Sequence, residues 1–138
     1  KVILYGIVFL PRNKAKEIFM STRGLVKIFE QEDSSPLVVI YNHCDSYPSG
    51  LGVYLKKFIE SGILVNGFSS SYKIDESLQF NGIGNFAAKL IAQMVKDEWS
   101  IYIYPASVQN EEYQYHIFIK NNKIEITCND GMEEVSIE

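Results

Sequence analysis

The sequence has little of what builds metal, redox or nucleic-acid sites. It holds 2 cysteines, Cys44 and Cys128, far apart and without C-x-x-C or Cys/His spacing. That excludes the usual structural zinc modules, so no metal and no cofactor is expected. Two isolated thiols fit free cysteines in a reducing compartment better than a disulfide framework. Lys and Arg number 13 against 17 Asp and Glu, for a formal net charge of -4. The basic residues are scattered, so general nucleic-acid binding is not expected.

Long apolar runs are missing too. The opening stretch "KVILYGIVFL" has about nine apolar residues, too few to span a bilayer. No small-x-small cleavage site follows it; "PRNKAKEIF" does. Residues 1–19 therefore read as an N-terminal extension or an extra strand. "MSTRG", from Met20, reads as a native start, which gives one domain over residues 20–138. A cytoplasmic location with no membrane partner is expected.

What is present is an ordinary globular composition: 138 residues, 46% hydrophobic and 22% charged, enough for one domain with a real core. "GLVKIFE" (residues 24–30) alternates without a clean polar face and reads as a strand. "QEDSSP" is a turn by composition. "LVVIY" (residues 37–41) is apolar on both faces, as in a central, covered strand. The two are expected to form a hairpin. Leu51, Leu55, Phe58 and Ile59 then fall at helical spacing, with Gly62 as a stop. Residues 66–75 read as a loop. A second helix is expected from Gly82 to Lys96, with Ile83, Ala87, Leu90, Ile91 and Met94 on one face.

The last third reads as β structure. "WSIYIYP" stops at a proline, and "YQYHIFI" and "KIEITC" flank Asn121 and Asn122, which suit a tight hairpin turn. "NDG" turns the chain again before "MEEVSIE". The aromatic residues here fit cross-strand pairs better than base stacking. The expected fold is a single α+β domain in the order β-β-α-α-β-β-β-β. Its antiparallel or mixed sheet of about six strands would carry two helices packed on it.

The unusual chemistry lies in "YNHCDSYPSGLG" (residues 41–52). His43 and Asp45 can share a face, and a carboxylate beside an imidazole makes a general base. Equally, His43 can simply bond a turn carboxylate. Ser46 and Ser49 are turn and cap formers, and Ser49 is placed to cap the following helix. Gly50 and Gly52 would expose backbone N–H groups that suit an anion, or permit close packing. "NGIG" (residues 81–84) repeats the pattern, and two such helix starts side by side would make one anion-friendly floor. Arg23, at the start of the first strand, falls near His43 and Asp45 in a hairpin. There it could clamp a phosphate or carboxylate, or pair with Asp45.

The motifs "MSTRG" and "YNHCDSYPSGLG" resemble those of a family of small uncharacterised proteins of bacteria and their phages. That family begins near M-[SG]-T-R-G and carries Y-N-H-x-D-S-Y-P-x-x-L-G. The matching residues are Met20 to Gly24, then Tyr41, Asn42, His43, Asp45, Ser46, Tyr47, Pro48, Leu51 and Gly52. Cys44 stands where the family commonly has an aromatic residue, which argues against a catalytic thiol. A weaker likeness is to N-terminal-nucleophile hydrolases. It implies Ser21 as nucleophile if cleavage after Met20 frees its amine.

The leading expectation is a phage-related binding module for a small anion or a protein partner. Its ligand residues would be Arg23, His43, Asp45, Ser46, Ser49, Gly50 and Gly52. The alternatives are a hydrolase with His43, Asp45 or Ser21 as catalytic residues, and a structural or host-interaction protein. Enzymatic activity is the lesser expectation, and a homo-oligomer is allowed.

Overall fold

The computed structural model describes residues 21–67, 78–108 and 111–137. The expectations for residues 1–19 and for a domain start at Met20 lie outside them, as does the expected loop at residues 66–75 beyond Gly67. The chain forms an α+β domain in which a six-stranded mixed sheet carries two helices. The strands are β1 (Gly24–Ile28), β2 (Val38–Asn42), β3 (Gly62–Val65), β4 (Leu78–Asn81), β5 (Ile101–Tyr104), β6 (Tyr113–Lys120), β7 (Lys123–Asn129) and β8 (Glu134–Val135). The helices are α1 (Val53–Glu60) and α2 (Gly82–Lys96).

The large sheet runs β5-β2-β1-β6-β7-β8. β1 and β2 form the expected antiparallel hairpin, with Gly24 opposite Asn42 and Ile28 opposite Val38. β6 pairs with β1 in parallel, so the sheet is mixed. This explains why "GLVKI" lacks a polar face. Its strand is central, and Leu25, Val26 and Ile28 are all fully buried. β6 and β7 meet at Asn121 and Asn122, whose φ angles of 51° and 59° are those of a left-handed hairpin turn.

One feature of the order was not expected. A short parallel pair, β3-β4, stands apart from the main sheet and separates the two helices. Gly62 therefore opens a strand rather than stopping a helix in a left-handed conformation. A Cβ there would lie 2.5 Å from the Leu78 carbonyl oxygen and 2.6 Å from the Phe80 ring. Glycine is needed for that close approach.

The helices cover one face of the sheet. Val26, Ile28, Ile40, Tyr115 and Ile117 pack there against Leu51, Leu55, Phe58, Leu90 and Met94. Phe86, absent from the expected helix face, is fully buried against Phe58 and Phe80. Fully burying a side chain of this size contributes about 1.5–3 kcal/mol. The other face carries a smaller cluster of Leu25, Val39 and Tyr41, with Tyr104 and Val108 against it. Among the described residues no helix is long and apolar enough to cross a membrane.

Candidate functional site

The end of β2 and the turn after it sort their polar side chains by direction. Asn42 and Ser46 turn inward and are fully buried. The Asn42 amide donates to the Cys44 carbonyl oxygen and, at 2.8 Å, to Ser46 Oγ. Ser46 Oγ donates back to the Asn42 carbonyl at 3.3 Å, and the Ser46 N–H reaches the Thr22 carbonyl at 3.1 Å. The Tyr115 hydroxyl closes the set by donating to the Ser46 carbonyl at 2.6 Å. Ser46 is thus consumed by the fold, and a ligand has no access to it.

Each remaining peculiarity of the motif has a local cause. Asp45 has φ +57°, a left-handed conformation that Asp tolerates better than most residues. Tyr47 is extended, as a residue before proline must be. A Cβ on Gly50 would lie 2.6 Å from the Asp45 carbonyl oxygen, and one on Gly52 would press the Tyr115 ring at 3.2 Å.

The expected use of the helix start for anion binding meets an obstacle. Pro48–Gly52 forms one wide turn ahead of α1, and Ser49 makes no cap bond. The N–H groups of Gly50 and Gly52 donate to the Tyr47 carbonyl, and that of Leu51 donates to the Asp45 carbonyl. These donors face their own turn. Nor do the two helix starts lie together: Tyr54, in the first turn of α1, donates to Asp97 at the far end of α2, at 2.7 Å. α2 has 15 residues, which places its start about 20 Å from that contact.

Outward on the face opposite the helices, a different group gathers. The β1–β2 register continued by one residue sets Arg23 opposite His43. Alternation points both toward the face of Leu25 and Tyr41. Both are exposed; the Arg23 carbonyl accepts from the Tyr113 N–H at 3.3 Å, while its guanidinium forms no ion pair among the described residues. His43 Nδ1 lies 2.8 Å from the Tyr41 hydroxyl, which leaves Nε2 turned away from that contact. Burial raises the Tyr41 phenol above its ordinary pKa, while the Arg23 charge nearby acts the other way and Glu111 adds to the rise. Tyr104 stacks on Tyr41 at 4.6 Å, and Tyr102 leans on it at 5.9 Å.

His43 therefore takes its fixed orientation from Tyr41. Asp45 accepts instead from the Tyr47 hydroxyl at 3.4 Å. Asp45 is exposed and forms no ion pair with Arg23. Cys44 is half-buried, and burial together with Asp45 raises its thiol pKa, which disfavours a thiolate. Ser21 is half-buried ahead of β1. Among the described residues no three His, Cys, Asp or Glu side chains are grouped to hold a metal.

Neither Tyr41, though part of the motif, nor Glu111 was among the expected ligand residues. Tyr41 had a readable signal, since it lies two residues from His43 in a strand. Glu111 had none, because only the parallel β1–β6 pairing brings it near. The larger cavities lie elsewhere. One of about 520 Å³ is lined by Leu64, Val65, Asn66, Gly82, Ile119 and Asn122, remote in sequence from the motif. Compared with protein-family models, curated proteins and solved structures, the chain gave no significant match.

Proposed function

We propose that the protein is a cytoplasmic binding module that takes a small anion at the outer end of the β1–β2 hairpin. The observation that carries this reading is the pairing of Arg23 and His43 across the hairpin, exposed on the same face. A guanidinium that forms no ion pair among the described residues offers a bidentate fork for a phosphate or carboxylate. His43, steadied by Tyr41, adds a second donor at Nε2 in its protonated or Nε2–H form. Asp45 and Ser49 are exposed at the rim, where one accepts and the other donates or accepts hydrogen bonds. Gly50 and Gly52 serve by shape, because their N–H groups are already used. The hydrolase alternative has less support, since His43 bonds Tyr41 and no His43–Asp45 hydrogen bond forms.

Thermal melts in inorganic phosphate and in chloride, at matched ionic strength, test the reading. Phosphate should raise the melting temperature of the native chain. Arg23→Ala should lose that rise and His43→Ala should lessen it, with unchanged circular dichroism. Asp45→Asn, which keeps the left-handed turn, should retain the rise. A phosphate effect equal in the native chain and Arg23→Ala, or absent from both, would refute it.

A further inference from the structure

The tyrosines beside His43 are used to different degrees. Tyr41 is 6% exposed, and Tyr104 lies flat against it with ring centroids 4.6 Å apart and planes 2° apart. Those two rings are spent on each other. Tyr102 stands opposite Tyr41 in the β2–β5 register and so shares its face of the sheet. It meets Tyr41 at a tilt of 45° and remains 56% exposed. A tyrosine ring left open to solvent offers a face on which a flat aromatic group stacks.

The position of that ring is fixed relative to the Arg23–His43 pair. The rings of Tyr102 and His43 each lie 5.9 Å from the Tyr41 ring. Tyr41 is itself held by Tyr104, and its hydroxyl bonds His43 Nδ1 at 2.8 Å. The β2–β5 register continued by one residue sets His43 opposite Ser100, which makes Tyr102 the diagonal neighbour of His43. Such neighbours lie about 7–8 Å apart.

Charge decides on which side of Arg23 an anion settles. Glu111 and Glu112 lead into β6, the neighbour of β1 away from β2. β2 and β5 lie on the other side and contain no carboxylate. An anion in the Arg23 fork is therefore pushed toward His43 and Tyr102.

We propose that the anion taken by Arg23 and His43 is the phosphate of a nucleoside monophosphate whose base stacks on the open face of Tyr102. This rests on the anion site proposed above and names its ligand class. The sugar is the spacer the geometry requires, since it separates base from phosphate by roughly the distance between diagonal neighbours, about 7 Å. A phosphate bonded directly to a ring is too short to stack on Tyr102 and still reach the fork. A single open ring tolerates any base, because every base has a π face. A nucleic-acid strand needs more cations along its path than Arg23 and His43 supply, and the chain carries a net charge of -4.

NMR titrations with AMP, ribose 5-phosphate and phenyl phosphate test the assignment. AMP should bind the native chain about fivefold or more tightly than ribose 5-phosphate, the gain expected of one stacked base. The Tyr102 ring protons should move upfield with AMP and not with ribose 5-phosphate. Tyr102→Ala, at an exposed position, should bring AMP to the affinity of ribose 5-phosphate, and Tyr102→Phe should keep the advantage. Phenyl phosphate should bind no more tightly than ribose 5-phosphate, and an oligoadenylate strand no more tightly than AMP. If AMP and ribose 5-phosphate bind alike while Arg23→Ala weakens both, the nucleotide assignment is overturned and the anion site stands. If neither binds, both fall. An AMP advantage that survives in Tyr102→Ala, or a strand that binds more tightly than AMP, also overturns the assignment.

Discussion

Gly24 lies so close to Ser46 that a Cβ on it would sit 2.6 Å from Ser46 Cβ and 2.9 Å from Ser46 Oγ. This contact locks the first residue of the hairpin to the buried serine of the turn. It ties "TRG" to "YNHCDSYP" in space and gives both motifs a shared structural reason.

Gly24→Ala should therefore destabilise the fold by about 1–3 kcal/mol, as overpacking at a closed site does. Ser46→Gly removes the obstructing Cβ. The double variant should be more stable than the two single losses add up to, because the sites are in contact. Urea unfolding of the four proteins measures the coupling. Strict additivity would show that the clash relaxes elsewhere.

Tyr115 holds the same turn from below. Its hydroxyl donates at 2.6 Å to the Ser46 carbonyl, its side chain is fully buried, and burial keeps the phenol protonated well above its ordinary pKa. Tyr115→Phe leaves a buried carbonyl short of that partner, which costs about 1–3 kcal/mol. Denaturant unfolding should show the loss with an unchanged slope. Proteolysis should cut the turn sooner in the variant.

His116 faces the side of the sheet away from the helices, opposite Lys27 in the parallel register and 5.1 Å from the Phe29 ring. Burial, with the Lys27 charge second, lowers its pKa, and Nε2 has no hydrogen-bond partner. The folded state thus prefers the neutral ring. The unfolded chain takes up its proton first, near pH 6.5, so unfolding gains as pH falls below that value. The stabilising effect is complete above about pH 6.5 and declines until the folded pKa is passed. His116→Phe removes this slope. The gap between the stability–pH curves of native and variant should change between about pH 7.5 and pH 5. Parallel curves would rule out this linkage.

Much of the fold was legible in the residues. The α2 stripe marked its helix closely, because 15 residues at one period leave little choice. The first hairpin and the Asn121–Asn122 turn followed from apolar runs and turn chemistry. The β3-β4 pair was not legible. Four-residue strands give almost no periodic signal, and Gly62 carried a helix-stop meaning that packing against Phe80 overrode. Ser49 illustrates the same limit, since a wide backbone turn supplied the bonds a side-chain cap would have made.

At the candidate site, composition alone marks out residues 41–52, and strand alternation lets His43 and Asp45 share a face. Local rules reach that far because they depend on neighbours in the chain. Which polar groups are spent inside and which are offered outside was decided by tertiary contacts. Ser46 is buried because Gly24 and Tyr115 close on it from other strands. Arg23 falls opposite His43 because the hairpin register, continued by one residue, aligns them. β5 becomes an edge only because the chain crosses from it to pair β6 with β1. Those outcomes depend on free energies of packing and pairing between distant segments, which no local pattern encodes.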